Sequence, residues 1–341
     1  MNEQAVKGTG FSRLRSVFGT DEFGVFLPLV GIMVVTTLIR PDFLSIGNFS
    51  AMFTQLTFIA LTALGASFPL MVGQVDISTG RVAGFAGIIM SVLVVDGGIN
   101  QWAAILIAVA ACLAVGVING ILVVYFDIPD FVATMGTLYM VGGARYLFIK
   151  GYQFSLSTQE GFTLVALFDN RYLGMPIYFW LMIVIFAIVF GIILVPFFFV
   201  MVVIKKTLWG RRLLAVGDNR EVASLAGINT NKVRMEAYTI SAFFAAIAGI
   251  LLTLDIGLGL PETGDGWEFR AIAGCVVGGV SLAGGKGSPL GVLIGVTLVF
   301  VAENAIIFLG CPATMKVAVQ GLLMAGAVLF DLYRQKRKIP A

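Results

Sequence analysis

Gly73-Gln74-Val75-Asp76-Ile77-Ser78-Thr79-Gly80-Arg81 sets an amide, an acid, two hydroxyls and a base between two strongly apolar runs. Inside lipid a helix can break only where protein or water satisfies the freed backbone groups. The segment therefore belongs to a bundle interior or a water-filled cavity, and it reads in two ways. Asp76 or Ser78 caps the helix that follows, with Arg81 reaching toward lipid headgroups. Alternatively, the segment lines a translocation path or its gate.

Outward from this break the chain is apolar almost throughout. Its 341 residues are 59% hydrophobic and 12% charged, with a mean hydropathy of +0.98. Soluble domains carry about a quarter charged residues, so a soluble enzyme is excluded. A spanning helix takes about 20 apolar residues. Apolar stretches fall at 24–39, 52–73, 82–97, 101–126, 131–149, 176–204, 235–254, 269–283, 289–309 and 313–332, several of them short or glycine-broken. The 41 Gly suit tightly packed membrane helices, whose small residues let backbones approach. There is no His, and Cys112, Cys275 and Cys311 show no CxxC spacing. Neither a zinc site nor a disulfide framework is expected; no metal, no cofactor and no nucleic-acid partner enters the reading.

Lys and Arg give the orientation. Lys7, Arg13 and Arg15 precede the first run; Lys205, Lys206, Arg211, Arg212, Arg220, Lys232 and Arg234 crowd one loop; Arg334, Lys336, Arg337 and Lys338 end the chain. All three segments are expected to be cytoplasmic, which demands an even number of spans between each pair. Ten spans, six before the basic loop and four after it, meet that demand. The domain reading is a cytoplasmic segment over 1–23, spans over 24–204, a cytoplasmic coupling loop over 205–234, spans over 235–332 and a cytoplasmic tail over 333–341. No small-residue cleavage site precedes the first apolar run, so 1–23 reads as a lead-in and not a removed signal. Residues 151–175 fall outside.

The two halves echo each other. Asp76 to Gly87 opens the third span as Asp265 to Gly274 opens the eighth; Asn119 precedes Pro129 as Asn304 precedes Pro312. Five spans separate the pairs, so the second copy would be inverted, the arrangement of transporters whose pathway lies at the repeat interface.

The basic loop contains Ala215-Val-Gly217-Asp218-Asn219-Arg220-Glu-Val222-Ala-Ser224-Leu225-Ala226-Gly227-Ile228-Asn229. Asp218 or Asn219 is a good N-cap, Arg220 to Ala226 makes about two turns, and Gly227 suits the left-handed position after the helix. Val222, Leu225 and Ile228 recur at helical spacing, an apolar stripe that a partner could bury. A solvated loop would need no such capped amphipathic element.

These motifs carry a resemblance. The break looks like the Gly-Gly-Ile-Asp-Leu-Ser-Val-Gly signature of permease subunits of bacterial ABC importers for ribose and related sugars, from which it departs at Gln74, Thr79 and Arg81. The loop from Ala215 to Asn229 resembles that family's coupling loop. Pro41-Asp-Phe-Leu-Ser-Ile-Gly-Asn48, Ile128-Pro-Asp-Phe-Val-Ala-Thr-Met-Gly136 and Ala271 to Gly287 match in order, so the likeness runs over nearly the whole chain. It implies an all-α polytopic membrane protein with the ten-span fold of the vitamin B12 importer, the type II ABC importer permease fold. It also implies assembly as a homodimer, or as a heterodimer with a sister permease, bound to cytoplasmic ATPase subunits and an extracytoplasmic solute-binding protein. Asp76 and Ser78 match the signature's Asp and Ser, and Asn219 to Ile228 match the coupling helix.

ATP hydrolysis is expected on the partner. The chain's near-miss to a P-loop around Lys286 has Val280 where Gly is needed and Gly287 where a hydroxyl is needed. Polar groups within spans are functional candidates by default. Gln55, Asn119, Glu303, Asn304 and Gln320 are such groups, and each also reads singly as an interhelical hydrogen bond. With Asp76, Ser78 and Arg81, the first four make the candidate pathway or gate; Asp218, Asn219, Val222, Ser224, Leu225, Ala226, Gly227 and Ile228 make the candidate ATPase contact. Phe197 to Phe199 read as lipid-facing bulk. The expected function is the permease subunit, in the bacterial inner membrane, of an ABC importer for a monosaccharide or sugar-like solute. Alternatives are a permease for nucleosides or branched-chain amino acids, and an ion-coupled secondary transporter built on Glu303 and Asp76.

Overall fold

A computed structural model of the chain describes residues 21–149, 154–156, 171–172, 175–176, 207–312 and 314–336. The expected lead-in over residues 1–20, the stretch from 177 to 204 assigned to a sixth span, most of the 151–175 segment, Lys205, Lys206 and the tail from residue 337 lie outside the described residues.

The described chain is an array of helices: α1 (Asp21–Ile39), α2 (Ile46–Met71), α3 (Thr79–Val95), α4 (Gln101–Val124), α5 (Asp130–Ile149), α6 (Leu208–Asp218), α7 (Arg220–Leu225), α8 (Thr230–Ile256), α9 (Trp267–Val277), α10 (Pro289–Phe308) and α11 (Met315–Lys336). Two-residue strands are the only β structure described. β1 (Phe154–Ser155) pairs antiparallel with β4 (Leu258–Gly259), and β2 (Arg171–Tyr172) with β3 (Met175–Pro176). Short side chains start the helices: Ser45 accepts from Asn48 N ahead of α2, Asn100 from Trp102 N ahead of α4, and Ser288 from Gly291 N ahead of α10. By length and composition α2, α4, α8 and α10 can cross a membrane, and α1, α3 and α11 contain shorter apolar helices. The protein is an all-α polytopic membrane protein.

α8 is the hub, packed against α2, α3 and α4. Glycine lets the backbones close up: a Cβ on Gly249 would lie 1.7 Å from Ala83 O, and one on Gly116 2.8 Å from Tyr238 O. A second group sets α9 against α10 and α2, with Gly274 against Val296 and Gly278 against Gly291 O.

Two elements depart from the span expectation. The stretch 269–283 forms no full span: α9 has 11 residues, about 16 Å of helix against a hydrocarbon core of about 30 Å. It stops at Gly278 because Gly279, at φ +89°, turns the chain into a glycine-rich loop. α3 has 17 residues and begins at Thr79, inside the bundle. It runs parallel to α8, with Asp76 bonded to Ser241, Ala83 against Gly249, Gly87 against Thr253 and Ser91 against Gly259. Beyond Gly257 the chain doubles back, so that Gly264 meets Gly80 O. α9 then starts beside the start of α3 and runs along α2, placing Trp267 on Phe58 and Cys275 on Ala63 O. The two short helices, of 17 and 11 residues, thus begin next to each other, about midway along α8, and head in opposite directions. α8 begins at Thr230, capped by Asn229, within the stretch 205–234.

Candidate functional site

The break between α2 and α3 is tied down almost residue by residue. Gly73, at φ +73°, donates to Leu70 O, and Gln74 N to Pro69 O. Gln74 Oε1 accepts from Arg234 Nε at 3.0 Å. Val75 N donates to Asp130 Oδ2 at 2.5 Å and Ile77 N to Thr134 Oγ1 at 3.3 Å, both on α5. Asp76 Oδ1 accepts from Ser78 N at 3.0 Å and Ser78 Oγ at 2.6 Å, while Oδ2 accepts from Ser241 Oγ at 2.8 Å. Asn119 on α4 donates to Ser78 Oγ at 2.9 Å and accepts from Thr137 Oγ1 at 2.7 Å. Asp76, Ser78 and Asn119 are all buried. The freed N–H groups are met by carbonyls of α2, by Asp76 and by side chains of α5, so the break is a splice joining α4, α5 and α8.

This corrects the capping expectation. Ser78 stands at the N-cap of α3, yet its side chain makes no cap bond, and Asp76 closes a turn on Ser78 instead of reaching the first helical turn. Arg81 does not extend to headgroups: its Nη1 pairs with Asp265 Oδ1 at 2.8 Å. The same oxygen takes Arg145 Nη2 at 2.8 Å, and Arg145 Nη1 donates to Thr263 O at 2.7 Å. Arg145 is fully buried. Glu268, also buried, lies against Gly80.

The remaining polar candidates scatter. Glu303 pairs with Arg270 at 3.2 Å between α10 and α9. Asn304 follows it, its Oδ1 buried and without a hydrogen bond among the described residues. Gln320 donates to Gly266 O at 3.1 Å, just ahead of α9. Gln55 is exposed on α2 and joins none of these groups.

In the basic loop, Asn219 caps α7 by accepting from Val222 N at 3.0 Å, and Gly227 is left-handed at φ +79°. Asp218 is the last residue of α6, not the cap. Val222 and Leu225 are 59% and 89% exposed, and Ser224, Ala226 and Gly227 are exposed beside them. Ile228 departs from the expected stripe: it is half-buried and packs on the core, so the outward apolar surface is Val222 and Leu225. α6 meets the rest of the chain backbone to backbone. A Cβ on Gly217 would lie 1.9 Å from Met71 O and 2.5 Å from Gly285 N, and Gly285 N itself donates to Met71 O at 3.0 Å. Gly73 touches Ala283 O in the same place. The end of α6, the start of the break and the loop between α9 and α10 form one seam.

Arg145, Ser241, Thr134, Thr137 and the Gly217 contact escaped the sequence reading, and Asp265 entered it only as part of an echo. Arg145 carried a usable signal, an arginine within the apolar run 131–149. Pairing across 120 positions leaves no local signal.

Comparison with known proteins places this geometry. The description "Branched-chain amino acid transport system / permease component" matches residues 48–328. The L-arabinose transport system permease protein AraH of Escherichia coli is 30% identical over 340 residues, 99% of each chain. The ribose import permease protein RbsC of Haemophilus influenzae is 29% identical over 92% of this chain and 94% of its own. The autoinducer 2 import system permease protein LsrC of Salmonella choleraesuis is 29% identical over 93% of this chain and 87% of its own. No solved structure matches. With a spliced short helix at its centre, a capped exposed element on its basic loop and a family match over most of its length, the chain belongs to the family of branched-chain amino acid transport system permease components.

Proposed function

We propose that the chain is the membrane subunit of an ABC importer in the bacterial inner membrane and carries a monosaccharide or sugar-like solute. The observation that carries this reading is the end-to-end likeness to permeases named for arabinose and ribose. α7 is the docking element for a cytoplasmic ATPase subunit, with Val222 and Leu225 as its apolar contacts and Asp218, Asn219, Ser224, Ala226, Gly227 and Ile228 shaping it. Asp76, Ser78, Arg81 and Asn119 hold the gate; Gln55, Glu303 and Asn304 belong to the pathway walls. The ten-span, inverted-repeat fold of the vitamin B12 importer is supported by the paired short helices α3 and α9, which start together and run oppositely. Both termini and the 205–234 loop are cytoplasmic, two permease chains pair, and a solute-binding protein delivers the solute outside. The family description names branched-chain amino acids, so the substrate class is the part to test first.

The test is uptake of labelled arabinose, ribose and leucine by cells carrying the chain with its partner ATPase. Sugar accumulation that stops when the ATPase is inactivated supports the reading. Leucine accumulation without sugar, or uptake sustained by a proton or sodium gradient alone, overturns it.

A further inference from the structure

We propose that Asp265 is the latch of a gate between the two halves of the chain, and that Glu268 is a second seat into which Arg81 passes when the latch opens. This rests on the chain being a transport permease and names the groups that work its gate. Three observations carry it.

The first is the sharing of one atom. Asp265 Oδ1 takes Arg81 Nη1 and Arg145 Nη2, each at 2.8 Å, so α3 and α5 meet the stretch before α9 at one shared oxygen. The two arms are unlike. Arg145 has no exposed side-chain surface and is fixed a second time by Thr263 O, whereas the Arg81 side chain is 25% exposed and is held, among the described residues, by Asp265. Two guanidiniums on one oxygen also repel each other, so the freer arm is the one set to leave.

The second is that this seam is shut. A Cβ on Gly80 would lie 2.1 Å from Glu268 Oε2 and 2.3 Å from Gly264 O, and one on Gly84 would lie 2.1 Å from Thr263 O. Where not even a methyl group fits, no solute passes until α3 and the stretch before α9 separate.

The third is the waiting acceptor. Glu268 is 4% exposed, and its Oε2 has no hydrogen-bond partner among the described residues; Arg81 Nε and Arg145 Nε are likewise unused. Glu268 sits against Gly80, the neighbour of Arg81 in the chain. A buried carboxylate is costly unless paired. An Arg81 that leaves Asp265 therefore has a partner in reach, which gives the gate two discrete arrangements in place of a loose one.

The experiment reads opening directly and needs neither solute nor ATPase, so its result is independent of the substrate proposed above. Thr263, buried in the seam, is changed to Cys in a chain also carrying Cys311→Ser, and membranes are treated with an impermeant maleimide from each side. Asp265→Asn is expected to raise the labelling rate of position 263 roughly tenfold, the scale of one charge-assisted hydrogen bond; Asp265→Glu should label as slowly as the parent. Adding Glu268→Gln to Asp265→Asn should return the rate toward the parent, because the second seat is gone. Labelling of Asp265→Asn at the parent rate overturns the latch, and undiminished labelling of the double variant overturns the second seat. Should Asp265→Asn fail to fold, Arg81→Gln is added to Glu268→Gln, where the second seat is already gone and only the latch is lost while the Arg145 anchor stays: labelling faster than that of Glu268→Gln alone supports the latch, and an equal rate overturns it.

Discussion

Asn119 shows what one buried amide does in this bundle. It donates to Ser78 and accepts from Thr137, so α4 holds both the break and α5. Asn119→Ala takes one bond from each hydroxyl, leaving Ser78 on Asp76 and Thr137 on Thr134 O. Hydrogen bonds between membrane helices contribute roughly 0.6 to 1.7 kcal/mol each, so the variant should melt a few degrees lower in detergent, measured by the loss of monodisperse protein on heating. An unchanged midpoint would show that the amide does not brace the splice. Glycines make a sharper contrast. Gly249→Ala must drive a Cβ into Ala83 O, a backbone atom of the neighbouring helix that has no rotamer to yield. Overpacking of this kind costs about 1 to 3 kcal/mol, and the yield of folded protein should fall. Gly136→Ala on α5 meets nothing within 4 Å; there the better helix propensity of Ala should raise the melting point slightly. If the two substitutions behave alike, close approach of α3 and α8 is not what Gly249 provides.

Among the elements, α7 makes the plainest prediction because so little supports it except its caps. Gly227 has open space around it and a positive φ, so Gly227→Val strains the backbone without a clash and frays the end of a six-residue helix. Leu225→Asp charges the most exposed large apolar side chain of that helix. Both chains should insert and purify normally yet fail to stimulate the partner ATPase or import solute; normal import by both would remove α7 from the docking surface. α7 was legible in the sequence because every device that makes it is local: Asn219 three residues before its bonded N–H, Gly227 two residues past the last turn. The same holds for the break, where polarity interrupts hydropathy. α9 was not legible, since the run 269–283 has the hydropathy of a span, and only the turn at Gly278 and Gly279, a backbone event inside an apolar stretch, halves it. Ile228 was misplaced for a similar reason. Helical spacing assigns it to the stripe, but the chain has already left the helix at Ala226. The charge cluster was illegible in pattern although not in composition: Arg145 and Asp265 are visible as costly residues, and nothing local says that they meet.

At the scale of the whole molecule the question is how force applied at α7 reaches the splice. The route is short. α7 follows α6 through Asn219, α6 ends at Gly217 and Asp218, and Gly217 lies against both Met71 O, where the break begins, and Gly285 N, in the loop that follows α9. Each of the short helices α3 and α9 is therefore joined through a few residues to one seam, and α6 can move both only if the three backbones travel together. The glycine-rich sequence around Lys286, which looks like a fragment of a nucleotide loop, spends its left-handed residues on this packing: Gly284 and Gly285, at φ +84° and +72°, turn toward Gly73, Gly217 and Asp218. Gly217→Ala tests the route. Its Cβ would sit 1.9 Å from Met71 O, so the seam must open while the outer surface of α7 stays as it was. The assembled complex should still dock and hydrolyse ATP, whereas solute imported per ATP falls roughly tenfold, the effect of about 1.4 kcal/mol of strain in the linkage. Import per ATP equal to that of the parent would mean that force reaches the gate by another path, such as the covalent one through α8, whose Arg234 holds Gln74 directly.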